Sequence, residues 1–268
     1  MTAPAPSLPP VALEAAFVSA LAAAKPAEDP LSVLARAASP AEKLAAIDAL
    51  HRSLPNIPQA KRTKVLDALR AAAESAAEAP AVRAKALTTL GYSVPVVGDT
   101  AAREAAVRTL LAAANGSYRV HALRGLAPAT HDLPEAVEAD VQGVLLSLLA
   151  GTPTEEERLT ALLALDGFVR AREDLPRRRP DLVASLEAAL LAPIAADPAA
   201  YCARGTANVR LLELAVVWHS ARNRHSAGEP AALEHVNALL RRLAALETDP
   251  AVKAEIASFL AAPAPKLL

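Results

Sequence analysis

The sequence predicts an all-α protein, and two observations carry that expectation. Alanine (68) and leucine (41) dominate the 268 residues, whereas aromatics are 3% and glycine numbers only 9. Alanine and leucine are strong helix formers, and the residue types that favour strands are thin, so composition argues against a β-sandwich, a barrel or a dinucleotide-binding sheet. The second observation is repetition. A small residue, then Leu or Ile, two positions, then Leu recurs as Ala46-Ile47-Asp48-Ala49-Leu50, Ala86-Leu87-Thr88-Thr89-Leu90, Ala122-Leu123-Arg124-Gly125-Leu126 and Ala161-Leu162-Leu163-Ala164-Leu165. The Ile/Leu anchors lie 40, 36 and 39 residues apart. A period near 40 is the length of a two-helix repeat unit.

These anchors mark A helices, with weaker echoes at Leu214 to Val217 and Ile256 to Leu260. The longer gap before Leu214 fits an insertion around Arg172 to Asp181. B helices are expected between the anchors. Lys61 to Ala77 carries Val65, Leu66, Leu69, Ala72 and Ala73 on one face at helical spacing. Thr100 to Ala114, Leu133 to Ala150, Leu182 to Ile194 and Leu233 to Leu246 behave alike. Leu54-Pro55-Asn56-Ile57-Pro58 and Gly91-Tyr92-Ser93-Val94-Pro95 read as connections.

Helix starts are clearly written. Ser39-Pro40-Ala41-Glu42 supplies an N-cap, proline at the first helical position and glutamate at the third. Thr154-Glu155-Glu156-Glu157 is a second capping box, and Asp249-Pro250 repeats the cap-proline logic. Much of the count of 22 prolines is thereby punctuation. Residues 1–10 read as a flexible N-terminal tail, 11–262 as a single helical-repeat domain and 263–268 as a C-terminal tail.

Asp249-Pro250-Ala251-Val252-Lys253 and Ala79-Pro80-Ala81-Val82-Arg83-Ala84-Lys85-Ala86-Leu87 resemble the opening of bacterial HEAT repeats, Asp-Pro-x-Val-Arg followed by an Ala-Leu helix. Ser117-Tyr118-Arg119-Val120-His121-Ala122-Leu123 is a looser version, and the resemblance spans about 40–262. It implies a right-handed α-α superhelix, an armadillo-type, HEAT-like solenoid of about five to six helical hairpins. It also implies a protein-binding scaffold whose B helices line the concave side, with no catalytic residue to carry over. In such arrays each helix pair buries only part of its apolar surface, and stacking completes the core.

The sequence carries little chemistry. The histidines, at 51, 121, 131, 219, 225 and 235, form no His-x-x-x-His pair, and a single cysteine, Cys202, permits neither an internal disulfide nor a cysteine-based zinc site. There is no phosphate-binding glycine loop and no Gly-x-Ser-x-Gly elbow, so no catalytic, cofactor or metal residue is expected. Net charge is −1, from 28 basic and 29 acidic residues, which argues against a dedicated nucleic-acid binder. The start has no basic n-region before an apolar core, and no window approaches the ~18 apolar residues of a membrane span. A cytoplasmic location is expected. The excess of arginine over lysine, 21 to 7, suggests the coding bias of a GC-rich bacterium.

Three charged clusters are candidate partner contacts. Trp218, Arg222, Arg224 and His225 place the only tryptophan beside cations at a helix end, a composition common in binding hot spots. The competing reading has Trp218 in the core and the cations complementing the helix C-terminus. Arg177, Arg178 and Arg179, between two prolines, are expected in an extended loop. Arg62 and Lys64 open a B helix facing the concave side. The expectation is a non-catalytic scaffold or adaptor binding another protein. The alternatives are a nucleic-acid-associated protein, as some HEAT-like DNA glycosylases are, and a bilin-lyase-related HEAT protein, for which no pigment-handling signature exists.

Overall fold

The computed structural model describes residues 29–266, which are helical with no strand among them. Helix α1 (Pro30–Arg36) precedes a regular alternation: α2 (Pro40–Ser53), α3 (Gln59–Glu74), α4 (Pro80–Ser93), α5 (Thr100–Ala114), α6 (Arg119–Ala129), α7 (Glu135–Ala150) and α8 (Glu155–Arg170). Short helices follow, α9 (Leu175–Arg178), α10 (Pro180–Leu186), α11 (Ala192–Ala196) and α12 (Pro198–Ala203). The chain closes with α13 (Ala207–Ser226), α14 (Pro230–Leu246) and α15 (Pro250–Ala261).

Two layers result. Each anchor-bearing helix packs on the next, α2 on α4, then α6, α8, α13 and α15, forming an A layer. Helices α3, α5 and α7 form the B layer, continued by α10 against α7 and by α12 against α14. The fold is an α-α solenoid. Anchor side chains Ile47, Leu50, Leu87, Leu90, Leu123, Leu126, Leu162 and Leu165 are buried at the joint between layers. Burying one such side chain stabilises by about 1.5–3 kcal/mol, so the repeated pattern is the core. The insertion after α8 does not interrupt the A layer, because α13 packs directly on α8.

The start signals function as read. Ser39 with Glu42 and Thr154 with Glu157 form reciprocal capping boxes, and Asp249 accepts from the amides of Ala251 and Val252. The A-to-B corners are tight 3-10 turns at Leu54–Asn56, Val94–Val96 and Thr130–Asp132. Before the first two, Ser53 and Ser93 hydroxyls donate to carbonyls four residues back, at 2.8 and 3.0 Å, satisfying helix-end acceptors.

Three expectations need correction. Gly91 does not mark a connection; helix α4 runs through it to Ser93. A Cβ at Gly91 would sit 1.8 Å from the Gly125 carbonyl oxygen, and one at Gly125 would sit 2.6 Å from that of Leu87. Glycine is therefore what lets the α4 and α6 backbones touch. The run Arg177 to Arg179 is not an extended loop throughout, because Leu175 and Pro176 are buried and start one helical turn through Arg178. The B helix expected over 182–194 is divided by a π turn at Glu187–Leu191. Pro193 has no N–H and clashes with a regular preceding turn, which accounts for the widening.

Residues 1–10, expected as a tail, lie outside the described residues, as do 11–28 of the expected domain and the last two of the expected 263–268 tail. Residues 263–266 follow α15 without helix, and the Pro263 carbonyl accepts from Arg222 at 2.7 Å.

Gly91→Ala is expected to lower stability by roughly 3 kcal/mol, since two backbones must separate to admit one methyl. Gly143→Ala, exposed in α7 with nothing within 4 Å of the new Cβ, is expected to raise stability by about 0.5–1 kcal/mol. Denaturant unfolding of the two variants measures both, and equal effects would refute the crossing as the reason for Gly91.

Candidate interaction surface

The cations of this chain belong first to the solenoid. Four residues before the anchor of each of five A helices stands a basic side chain: Lys43, Arg83, Arg119, Arg158 and Arg210. Lys43 bridges to Glu78. Arg83 donates to the Ala73 carbonyl at 3.0 Å, where α3 ends, and lies 4.6 Å from the centre of the Tyr118 ring. Arg119 donates to the Ala114 carbonyl at 3.1 Å and reaches Glu157 at 3.5 Å. Arg158 reaches Glu213 at 3.5 Å. Arg210 holds the Glu247 carboxylate at 2.9 and 3.1 Å and donates to the carbonyls of Arg204 and Gly205. Arg83 and Arg119 thus satisfy carbonyls at the end of a B helix and also reach the next repeat.

A second series runs along the other corner. Arg62, fourth in α3, donates to the carbonyls of Pro55 and Ile57 and, at 2.8 Å, to Val96 of the next corner. Arg103, fourth in α5, pairs with Asp132 at 2.7 Å. In α7 the same position is Glu138, and the cations come from the following segment: Arg172 at 2.6 Å and Arg178 at 2.8 Å. Burial alone would push the Glu138 carboxyl up, but hydrogen bonds from Arg178 and Arg172 outweigh it and hold the group below the ordinary range. Glu213 is the contrary case. Burial pushes it up, and Arg204 and Arg158 only partly offset that.

The residues singled out in the sequence are mostly engaged inside this framework. Trp218 is buried and stacks on Phe259, ring centres 4.8 Å apart, so the core reading of the tryptophan describes its place. Arg222 covers the Trp218 ring at 4.6 Å besides bonding Pro263. Arg224 pairs with Glu187 and Glu229, and His225 is half-buried. Arg178 belongs to Glu138, Arg179 chelates Asp181 at 2.7 and 3.0 Å, and Arg177 reaches the Ser226 carbonyl. Lys64 is exposed on α3 and makes no ion pair with a described residue. Burial pushes the Cys202 thiol pKa up, which disfavours the reactive thiolate. Among the described residues no group of His, Cys, Asp or Glu could hold a metal ion, and no helix is long and apolar enough to cross a membrane.

What the framework leaves open is a groove of about 610 Å³ on the A layer, between α4, α6 and α8. Its apolar part is made by Tyr92, Ala127, Pro128, Leu159 and Leu163. Tyr92 is 46% and Leu163 50% exposed, large apolar side chains turned outward. His51 packs edge-on against Tyr92, ring centres 4.9 Å apart. Thr88, Arg124, Glu155 and Glu156 line the polar part. Sequence reasoning passed over these residues, although one signal was present. Leu162 and Leu163 are adjacent on a helix, about 100° apart around its axis, so both cannot face one core.

No protein-family model and no curated protein matches the chain. Among solved structures it is similar to a designed armadillo repeat protein, YIII(Dq)4CqI, with a TM-score of 0.54 and 15% identity over 87% of this chain and 98% of that one. The likeness establishes the armadillo-type helical-repeat fold.

The two acids give opposite expectations. The folded pKa of Glu138 is lowered, so its contribution is present above the unfolded value of about 4.3 and is lost as pH falls through the folded one. Glu138→Gln should cost roughly 3 kcal/mol at neutral pH and converge on the parent in acid. For Glu213 the folded pKa is raised, so stability is lost as pH rises through it, and Glu213→Gln should be neutral or stabilising at pH 7. Thermal unfolding against pH checks both; like-signed effects at pH 7 would contradict the assignment.

Proposed function

We propose that this chain is a non-catalytic helical-repeat scaffold or adaptor that binds another protein along the α4–α6–α8 face. The supporting observation is the groove, where Tyr92 and Leu163 stay exposed beside a layer whose other apolar side chains are largely buried. Exposed apolar surface rimmed by polar groups marks an interaction site more often than a solvated face does. The engagement of Arg62, Arg178, Arg222 and Arg224 within the fold moves the expected contact away from those clusters. Lys64 stays in the proposal as an auxiliary contact on the B layer. A single domain over 11–262, HEAT-like bacterial ancestry and a cytoplasmic setting complete the reading.

The test is capture of partners from native lysate by the full chain, with and without nuclease, in parallel with a Tyr92→Ala/Leu163→Asp variant. A stoichiometric protein that survives nuclease and is lost by the variant is expected. Partners that vanish with nuclease would favour the nucleic-acid-associated reading. A protein partner equally well held by the variant would place recognition elsewhere.

A further inference from the structure

The groove is not symmetric along its length, and its two ends differ in chemistry. The A helices run side by side in one direction, so Glu155 and Glu156, in the first turn of α8, lie at one end. Leu159 and Leu163 follow on successive turns towards the other end, beside Tyr92 and Pro128. Eight residues separate Glu155 from Leu163, about 12 Å along a helix axis.

Several acids on this layer have partners, whereas Glu255 on α15, like Glu155, makes no ion pair with a described residue. Asp48 pairs with Lys85 at 2.5 Å, Asp166 with His219 at 2.8 Å, and Glu156 with Arg124 across the groove. Within the α8 acidic run, Glu157 closes the capping box with Thr154. Glu155 makes no ion pair with a described residue. The helix dipole explains why an acid is tolerated there, and the capping role is already filled, so neither supplies Glu155 with a partner. The groove therefore carries two carboxylates against one guanidinium, one negative charge in excess, next to an unfilled apolar end.

We propose that the occupant of this groove is a segment of a partner protein that seats an apolar side chain between Tyr92 and Leu163 and places a lysine or arginine against Glu155, roughly 12 Å away. That separation is about four residues of extended chain or two turns of helix. The inference rests on the protein-binding reading above. The apolar contact supplies affinity; the charge selects among apolar segments and sets their direction in the groove.

The full-length protein, immobilised and offered a library of random peptides, tests this. Selected peptides are expected to carry an aromatic or aliphatic residue with a lysine or arginine at one of the two spacings. Their binding should fall about tenfold or more in Leu163→Asp and about threefold in Glu155→Gln, the latter loss disappearing at high salt. All substituted side chains are exposed, and retention of helical signal verifies the fold. Peptides that lose binding in Leu163→Asp but carry no basic residue and ignore Glu155→Gln would overturn the partner chemistry and leave the groove standing. A library yielding no peptide that depends on Leu163 would overturn both.

Discussion

A basic side chain four residues before the anchor of five of the A helices, α2 to α13, is the constraint on which the rest of this solenoid depends. A two-layer array has two problems at every repeat: the C-terminal carbonyls of each B helix end without partners, and apolar contact alone does not fix the register between units. Lys43, Arg83, Arg119, Arg158 and Arg210 answer the second, since each reaches towards the next repeat, and Arg83, Arg119 and Arg210 also satisfy backbone carbonyls. Arginine suits the place because its planar fork can serve a carbonyl and a carboxylate together. Two buried pairs, Arg210 with Glu247 from this series and Arg172 with Glu138 from the other corner, flank the irregular segment α9 to α12. Where the repeat is least regular, the polar links are deepest. Losing one partner of such a pair leaves a charge uncompensated in the interior.

This use of charge bears on function. Many of the arginines are bound to carbonyls and carboxylates inside the fold. The A layer, in contrast, keeps a groove with exposed Tyr92 and Leu163 at one end and, at the other, Glu155, which makes no ion pair with a described residue. Internal pairing thus runs along the corners, and an open groove lies over α4, α6 and α8. The close crossing at Gly91 and Gly125 sets the spacing of α4 and α6, two walls of that groove.

Much of the architecture was legible in the sequence because it rests on periodicity. The anchors, the capping boxes and the insertion before Leu214 all lie where spacing put them. The surface was harder to read, and for a physical reason. A cluster such as Arg177 to Arg179 looks the same in sequence whether it faces solvent or a carboxylate 40 residues earlier, as Arg178 faces Glu138. Gly91 looks like a turn residue, and only the approach of a second helix shows it to be a packing residue. The basic position before each anchor could have been found by aligning the repeats on Ile47, Leu87, Leu123, Leu162 and Leu214. Recurrence at one repeat position is a structural signal, while Arg62 and Arg178 show that a cation outside that register can be engaged within the fold as well.

The most direct test of this account is the stability of Arg210→Met measured by denaturant unfolding beside Lys64→Met. Methionine keeps the apolar stem but leaves Glu247 buried without its cation, so a loss of roughly 3–5 kcal/mol is expected. Lys64→Met, at an unpaired surface position, should stay within about 0.5 kcal/mol of the parent. Equal small effects in the two variants would contradict the claim that these cations join the repeats.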